Sequence, residues 1–241
     1  MHRCKGITAA AAALCAAALL LGPRPALAQS LSDLVKAVDR HGEALFGSTE
    51  FQSQSFKGLP QWQRVLQRMT QEGAALRRCA ADAEACETSA QRSWRTLIQE
   101  AKGLPRGEML HKVNQFFNRW PYKFDQELYG LSEYWASPSE FMTRSGDCED
   151  YAIAKFFALR HLGFDNDSMR VVILWDQIRG IGHAVLAIYE DDRILILDNL
   201  SRMIIADDRY KHYIPQYSMN ETTRWAHVHS EKIPSLFAKR N

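Results

Sequence analysis

A cysteine, a histidine and an aspartate from separate parts of the chain could together activate a thiol. Cys148 lies between acidic neighbours, His183 follows a glycine, and Asp198 precedes an asparagine. A thiol becomes a nucleophile when an imidazole takes its proton, and a carboxylate can hold that imidazole in the reactive tautomer. Each residue also has an ordinary use, as a core cysteine, a strand-end histidine or a turn-initiating aspartate. The elements that carry them decide whether they meet.

Cys148 is predicted to lie at the start of a buried helix. Ser137 and Pro138 have the types of an N-cap and a first helical residue, and Ser145-Gly146 ends the short helix that they begin. From Asp147 onward apolar side chains occur on most sides of a new helix, which predicts a central position for it. The free N–H groups and the dipole at a helix start favour a thiolate.

His183 and Asp198 are predicted to lie on neighbouring strands, over 183–189 and 194–200. A loop of two or four residues between these strands would place Val185 opposite Asp198. His183 and Asp198 would then share one face as diagonal neighbours, whereas a three-residue loop would put them on opposite faces. If that face packs on the helix, the thiol, the imidazole and the carboxylate converge.

Three acidic residues surround the candidate nucleophile: Asp147, Glu149 and Asp150. Like charges raise the pKa of a thiol, so an opposing influence is expected. Asp147 and Asp150 could simply cap the helix. Alternatively, the three carboxylates could bind a hard cation such as Ca²⁺. Their spacing is not that of an EF-hand, and the residues alone leave both interpretations open.

The remaining candidate residues favour metal hydrolysis only weakly. His227 and His229 alternate as two zinc ligands can, but no third ligand is evident. His212, His227 and His229 all fall in a polar C-terminal part with no matching carboxylate on a predicted neighbouring strand.

The N-terminus has the pattern of an export signal. Arg3 and Lys5 precede an apolar stretch over 7–21, and Ala26-Leu27-Ala28 is a small-x-small cleavage motif. Residues 1–28 are therefore predicted to be a signal peptide, with an uncleaved anchor as the alternative. No later stretch is long enough to cross a bilayer. Residues 29–241 are expected to form a single α+β domain, with helices first and strands later.

Cysteine usage after export supports a free thiol at position 148. Cys79, Cys86 and Cys148 stay in the mature chain, so one of them has no partner. Cys79 and Cys86 are close in sequence and are predicted to form a disulfide. The alternative is that both are reduced.

Net charge argues against nucleic-acid binding. The chain has 30 Lys and Arg against 28 Asp and Glu. Three of the basic residues and none of the acidic ones belong to the signal, which leaves a mature net charge of about −1 and no basic patch.

The motif around Cys148 resembles the bacterial transglutaminase-like cysteine proteinases, in particular their LapG-type periplasmic branch. The matching segments are 134–141, 146–155 with the letters GDCEDYAIAK, 182–186 and 197–199. The resemblance implies a papain-like or transglutaminase-like core with the order Cys148, His183, Asp198. It also implies Ca²⁺ bound by Asp147 and Glu149, with Asp150 as a further candidate ligand.

The same resemblance implies a biological setting. The expected substrate is a large surface adhesin, cleaved near its N-terminus so that the cell leaves a biofilm. The expected partner is a LapD-type inner-membrane receptor that senses cyclic di-GMP and sequesters the protease in the periplasm. Two other functions stay open: acyl transfer to an amine by the same triad, and a binding module without turnover.

Overall fold

The computed structural model describes residues 44–190 and 192–229. The predicted signal peptide over 1–28 lies outside this range. Residues 31–38, where Leu31, Leu34, Val35 and Val38 recur at helical spacing and predict a helix, also lie outside it. Six α-helices precede most of the sheet in the described part: α1 Pro60–Ala81, α2 Ser89–Ala101, α3 Arg106–Phe117, α4 Asp125–Tyr129, α5 Pro138–Arg144 and α6 Cys148–His161. Among the described residues, no helix is both long and apolar enough to span a membrane.

Local sequence explains how two of these helices begin. Thr88 and Gln91 form a capping box at the start of α2, and Ser137 and Glu140 form another at α5. Each box satisfies backbone N–H groups that a helix start would otherwise leave unpaired. Pro138 occupies the first turn of α5, as its fixed φ angle favours.

Seven antiparallel strands form one sheet in the order β1-β7-β6-β2-β3-β4-β5. Their bounds are β1 Thr49–Ser53, β2 Met169–Asp176, β3 Ile181–Glu190, β4 Arg193–Leu197, β5 Ile205–Ala206, β6 Tyr213–Met219 and β7 Arg224–Val228. The predicted α+β class, with a central helix on an antiparallel sheet, is confirmed. The predicted strand over 194–200 ends early, because Asp198 leaves the ladder.

The expectation that helices come first and strands later is wrong at one edge of the sheet. β1 precedes every α-helix of the described part and pairs with β7, so the sheet closes with a segment from the beginning of that part. The C-terminal part, for which the sequence predicted no strand, supplies β6 and β7. Pro215 lies inside β6, and a proline normally argues against a paired strand.

The sheet separates two apolar cores. On one face, the buried side chains of α6 pack with those of β2 and β3 and with the other helices; Phe156, Phe157 and Leu186 belong to this core. On the other face, Phe46 and Tyr213 cover a second, smaller core. Burying aromatic side chains at this scale is the main driving force for such a fold.

The two cysteines near the end of α1 are joined. Cys79 and Cys86 form a disulfide with their Cα atoms 4.6 Å apart. Cys148 is the free cysteine of the described residues. The nucleophile candidate is therefore a thiol at the first residue of α6.

Candidate active site

The β3–β4 hairpin brings His183 and Asp198 together. Glu190 pairs with Arg193 and Leu186 with Leu197, which is the register that the two-residue loop predicts. Asp198 lies one residue beyond the last pair. His183 Nε2 and Asp198 Oδ1 are 3.0 Å apart, and both side chains are buried.

Two further donors fix the Asp198 carboxylate. The backbone N–H of Leu200 donates to Oδ1 at 2.9 Å, and the Tyr213 hydroxyl donates to Oδ2 at 2.7 Å. Burial raises the pKa of Asp198, but the hydrogen bond from His183, its charge and these two donors together hold that pKa below its ordinary value. Asp198 is therefore an ionised carboxylate with a fixed orientation.

Tyr213 was missed by sequence reasoning. It lies on β6, two strands away from β3 in the sheet, and no local motif connects it with Asp198. The alternation of apolar residues in β6 is a usable signal for a strand, but Pro215 weakens it.

The face of β3 that carries His183 does not pack on α6, so the condition under which the sequence would bring the three residues together through this face is not met. Val185 and Ala187 share that face, and both belong to the second core with Phe46 and Tyr213. The His183 and Tyr213 rings are 5.7 Å apart. The reason is topological, since the alternating residues Leu186 and Ile188 already fill the face toward α6.

Cys148 instead meets β3 at its backbone. The N–H of Ala184, the residue after His183, hydrogen-bonds toward the Cys148 thiol and lowers its pKa. The thiol also donates to Glu149 Oε2 at 3.3 Å. The start of α6 thus lies against the end of β3 at the point where His183 is attached.

The acidic neighbours oppose thiolate formation. Burial raises the pKa of Cys148 well above its ordinary value, and the charges of Glu149 and Asp147 raise it further. The helix start alone therefore does not activate this thiol. An additional positive charge is needed to offset the two carboxylates.

A fourth carboxylate, Asp125, completes an acidic cluster that the sequence did not reveal. Ligand oxygens of Asp125, Asp147 and Asp150 lie within 4.8 Å of one another, as do ligand atoms of Asp147, Cys148 and Glu149. Asp125 is the first residue of α4, and no motif links it to the others. The sequence around Asp125 does not predict this cluster, because Asp147 and Asp150 are more than 20 residues away along the chain.

All four carboxylates have raised pKa values. Burial is the largest cause for each of them, and the charge of Asp147 adds to it for Asp125, Glu149 and Asp150. The pKa of Asp125 rises to about 6. Within the described part of the chain, none of the four forms an ion pair with a lysine, arginine or histidine. Buried carboxyl groups without a cationic partner are stabilised either by protonation or by a bound cation.

Asp150 has a structural role as well. Its Oδ1 accepts from Ala136 N–H at 2.6 Å and its Oδ2 accepts from Asp147 N–H at 3.3 Å. A Cβ on Gly146 would lie 2.0 Å from Asp150 Oδ2, so only glycine fits there. Asp150 therefore ties the start of α6 to the segment before α5, as the helix-cap interpretation expects.

The cluster fits a hard divalent cation. Asp125 Oδ1 and Asp147 Oδ1 are buried and have no hydrogen-bond partner among the described residues. Ca²⁺ prefers carboxylate and carbonyl oxygens, and its charge would offset the carboxylates that raise the thiol pKa. The donor set does not suit zinc, which favours histidine and cysteine ligands.

His227, which was considered as a zinc ligand, belongs to a separate network. Its Nδ1 and Nε2 lie 2.8 Å from the hydroxyls of Ser48 and Ser218, respectively. The expectation that it has no carboxylate on a neighbouring strand is wrong, because Glu50 of β1 is 3.8 Å away. Neither of the possible metal-binding groups in the described ranges includes a histidine.

The fold and the cysteine-centred site define a class of protein. A family model for the bacterial transglutaminase-like cysteine proteinases (BTLCP) matches residues 67–233. The resemblance seen in the sequence is confirmed, and the chain belongs to this family, whose members are cysteine peptidases.

Solved structures of one such protein are similar to this chain. LapG from Legionella pneumophila is 31% identical with a TM-score of 0.55, and the match covers 63% of this chain and 87% of that one. Its calcium-bound form is 30% identical with a TM-score of 0.54, over 66% of this chain and 92% of that one. An EGTA-treated form matches at 29% identity. A search of curated proteins found no match.

Proposed function

We propose that this protein is a calcium-dependent cysteine endopeptidase in which Cys148 is the nucleophile, His183 the general base and Asp198 the residue that orients the histidine. The observation that carries this proposal is the contact of Asp198 Oδ1 with His183 Nε2 at 3.0 Å. It leaves Nδ1 without a hydrogen bond among the described residues, on a strand end that also contacts the Cys148 thiol. Nδ1 is therefore the atom that takes the thiol proton.

The reaction follows from these positions. The Cys148 sulfur attacks a peptide carbonyl as its proton passes to His183 Nδ1, and backbone N–H groups at the start of α6 stabilise the oxyanion. The C–N bond then breaks, and the protonated imidazole gives its proton to the departing amine. Water, deprotonated by His183, attacks the thioester and releases the acid and the free thiol. Asp198 keeps its negative charge throughout.

The acidic cluster is proposed to hold Ca²⁺ through Asp147, Glu149 and Asp125, with Asp150 holding the cluster in place and serving as a further candidate ligand. Two buried carboxylate oxygens that have no hydrogen-bond partner in the described part of the chain, and four carboxyl groups with raised pKa values, support this assignment. When bound, the ion supplies positive charge beside the thiol. Similarity to a calcium-bound LapG structure supports the choice of metal.

The substrate and the setting are proposed from the family likeness. The substrate is the N-terminal region of a large surface adhesin, whose cleavage releases the adhesin and promotes biofilm dispersal. The protease acts in the periplasm under the control of a LapD-type cyclic-di-GMP receptor. The predicted signal peptide over 1–28 and a disulfide between Cys79 and Cys86 fit an exported protein.

The test uses the mature protein and the N-terminal region of the host's large surface adhesin. Four reactions are compared: wild type, wild type with EGTA, Cys148→Ala, and Asp125→Asn with titrated calcium. We expect cleavage by wild type, none with EGTA or Cys148→Ala, and a higher calcium requirement for Asp125→Asn. Asp208→Asn, at an exposed position, is the matched control and should behave as wild type.

Each other outcome has a definite meaning. Cleavage that survives EGTA would contradict the calcium assignment, and cleavage by Cys148→Ala would contradict the nucleophile. Products joined to an added amine, without new N-termini, would indicate acyl transfer. Wild type that binds the adhesin without cutting it would indicate a binding module.

A further inference from the structure

An exposed segment over 121–124 runs beside the start of α6. The backbone N–H of Lys123 donates to the carbonyl oxygen of Gly146 at 3.0 Å, and Tyr122 forms a parallel β-bridge with the same glycine. Gly146 precedes Cys148 by two residues. The segment therefore lies at about the spacing of paired strands, roughly 5 Å, from the backbone that leads into the nucleophile.

An anchor on each side fixes this segment. The hydroxyl of Tyr151, which follows Cys148 by three residues in α6, donates to the Trp120 carbonyl oxygen at 2.6 Å. On the other side, Asp125 is buried and belongs to the acidic cluster. All four residues over 121–124 are exposed between these anchors. A backbone that is exposed and already fixed can bind a ligand without a further ordering cost.

Tyr122 has a free backbone edge. The N–H and C=O of one residue in an extended segment point to the same side, and those of the next residue point to the opposite side. Because the Lys123 N–H faces Gly146, the N–H and C=O of Tyr122 face away from it. Neither group of Tyr122 makes a hydrogen bond within the described ranges. An added peptide strand binds to such an open donor and acceptor through its own backbone.

The side chains of the segment form an apolar surface next to this edge. Tyr122 is 43% exposed, its ring stacks with that of Tyr151 at 6.3 Å between centroids, and the edge of the Phe124 ring contacts it at 5.3 Å. Burial raises the pKa of the Tyr122 hydroxyl, and the charges of Cys148 and Asp147 raise it further. The hydroxyl is therefore neutral near pH 7. Two aromatic rings beside the nucleophile are thus available to apolar side chains of a ligand.

Apolar side chains are also exposed beside the other two triad residues. Trp175 pairs with Gly182, the neighbour of His183. A Cβ on Gly182 would meet no atom within 4 Å, so this strand end is open. Leu200 lies two residues after Asp198, and both Trp175 and Leu200 are exposed. Exposed apolar side chains that gather around a nucleophile indicate a surface that binds a ligand.

We propose that Tyr122 and Phe124 form the substrate-docking edge of the active site. The free N–H and C=O of Tyr122 pair with one residue of an extended peptide, and the two rings contact apolar side chains of that peptide. This inference rests on the proposed function and adds the class of substrate segment that the site accepts. The segment must be extended and free of its own strand partners, because a folded surface cannot be added as a strand.

The test measures binding without turnover. Overlapping synthetic peptides that cover the N-terminal region of the host's large surface adhesin are titrated, with calcium, into the full mature Cys148→Ala protein. The peptide that binds most tightly is then methylated at one backbone nitrogen at a time. We expect methylation at one position to weaken binding roughly 10-fold or more, because it removes the hydrogen bond to the Tyr122 carbonyl. Methylation of the two adjacent residues should change little, since their N–H groups point to the other side of the peptide.

The aromatic rings are tested in the same Cys148→Ala background. Tyr122→Ala and Phe124→Ala should each weaken binding of the unmethylated peptide about five-fold, because apolar contact area is lost. Phe51→Ala is the matched control and should bind as the parent does. Phe51 is 45% exposed and lies on β1, at the edge of the sheet farther from β3. Circular dichroism checks that each variant is folded.

Three outcomes would overturn the proposal. They are the absence of any peptide that binds, equal tolerance of methylation at every position, and unchanged binding in both folded aromatic variants. Weaker binding in the aromatic variants without any dependence on methylation would indicate a surface for a folded partner instead of a strand. The methylation series needs neither aromatic variant, so it decides the backbone pairing even if one of them does not fold.

Cleavage by wild type is measured separately on the same peptide. The expected binding pattern together with no cleavage would contradict the endopeptidase function alone. Cleavage at a bond whose peptide binds without regard to methylation would contradict only the docking edge.

Discussion

Two buried histidines on the same sheet have different environments. His183 contacts a carboxylate through Nε2 and has no hydrogen bond at Nδ1 within the described ranges, and its strand end contacts a thiol. His227 has a serine hydroxyl 2.8 Å from each ring nitrogen. Burial lowers the pKa of His227 to about 4, with Arg170 and His229 acting in the same direction and Glu50 against it.

The difference separates the proposed general base, His183, from a structural histidine. A base needs a nitrogen that can accept a proton and a fixed charge that stabilises the protonated form. His183 has both. Burial holds His227 neutral, and protonation of its ring would take away the acceptor nitrogen to which one of the two hydroxyls donates. Burial and polarity are common to both histidines, so they do not by themselves identify a catalytic site.

The largest expected effect comes from replacing each histidine with glutamine. His183→Gln should lower kcat/KM for adhesin cleavage by roughly 10³-fold or more, because no base remains. His227→Gln should leave the activity of the folded protein unchanged. Both are measured at a temperature where circular dichroism shows intact fold. Comparable activity losses in the two variants would remove the distinction between the sites.

The next effect concerns the carboxylates beside the two rings. Asp198→Asn should lower kcat/KM by about 10² to 10⁴-fold, since an amide neither orients nor stabilises the imidazolium as a carboxylate does. Glu50→Gln, the matched change beside His227, should leave kcat/KM unchanged. Glu50→Gln should instead lower the free energy of unfolding, because it removes the ion pair of Arg170 with Glu50, whose atoms are 2.6 Å apart. Wild-type rates for Asp198→Asn would exclude Asp198 from the triad.

The lowered pKa of His227 should make the free energy of unfolding depend on pH. Its folded pKa of about 4 lies below the ordinary value of about 6.5 in an unfolded chain. Between these values the unfolded state binds more protons, so stability is complete above pH 6.5 and falls as the pH decreases toward 4. The loss is about 3 kcal/mol at pH 4.

Urea denaturation of wild type and His227→Gln across this pH range measures that contribution. The glutamine variant should lack the part of the slope that is due to His227. An identical pH dependence in the two proteins would show that His227 titrates normally in the fold.

The smallest effects should come from single hydroxyl groups. Tyr213→Phe removes a hydrogen bond to Asp198 and should lower kcat/KM several-fold. This decrease corresponds to a loss of about 1 kcal/mol of transition-state stabilisation. Ser218→Ala removes the partner of His227 Nε2 and should reduce stability by about 1 to 3 kcal/mol without changing kcat/KM. Loss of activity in Ser218→Ala, with unchanged activity in Tyr213→Phe, would contradict the comparison.

The parts of the site that could be predicted depend on local sequence. The start of α6 follows from Ser145-Gly146 and the apolar run after it, and the relation of His183 to Asp198 follows from one short hairpin. Both are decided by residues close in sequence, so turn chemistry and alternation were sufficient.

The missed residues depend on contacts between distant segments. Asp125 joins the acidic cluster from α4, and Tyr213 reaches Asp198 from β6. The edge strand β1 and its neighbour β7 were missed because short strands with polar residues show weak alternation. The core that covers the His183 face of β3 could not be predicted, because local alternation shows which residues share a face but does not show what covers that face.

The most direct test of the central claim is to trap the covalent intermediate. The mature protein with calcium is mixed with the adhesin region, quenched in acid within one turnover and digested for mass spectrometry. The account predicts a thioester adduct on the peptide that contains Cys148, absent from Cys148→Ala and formed more slowly in His183→Gln. Product formation without an adduct at Cys148, or with an adduct at another residue, would contradict it.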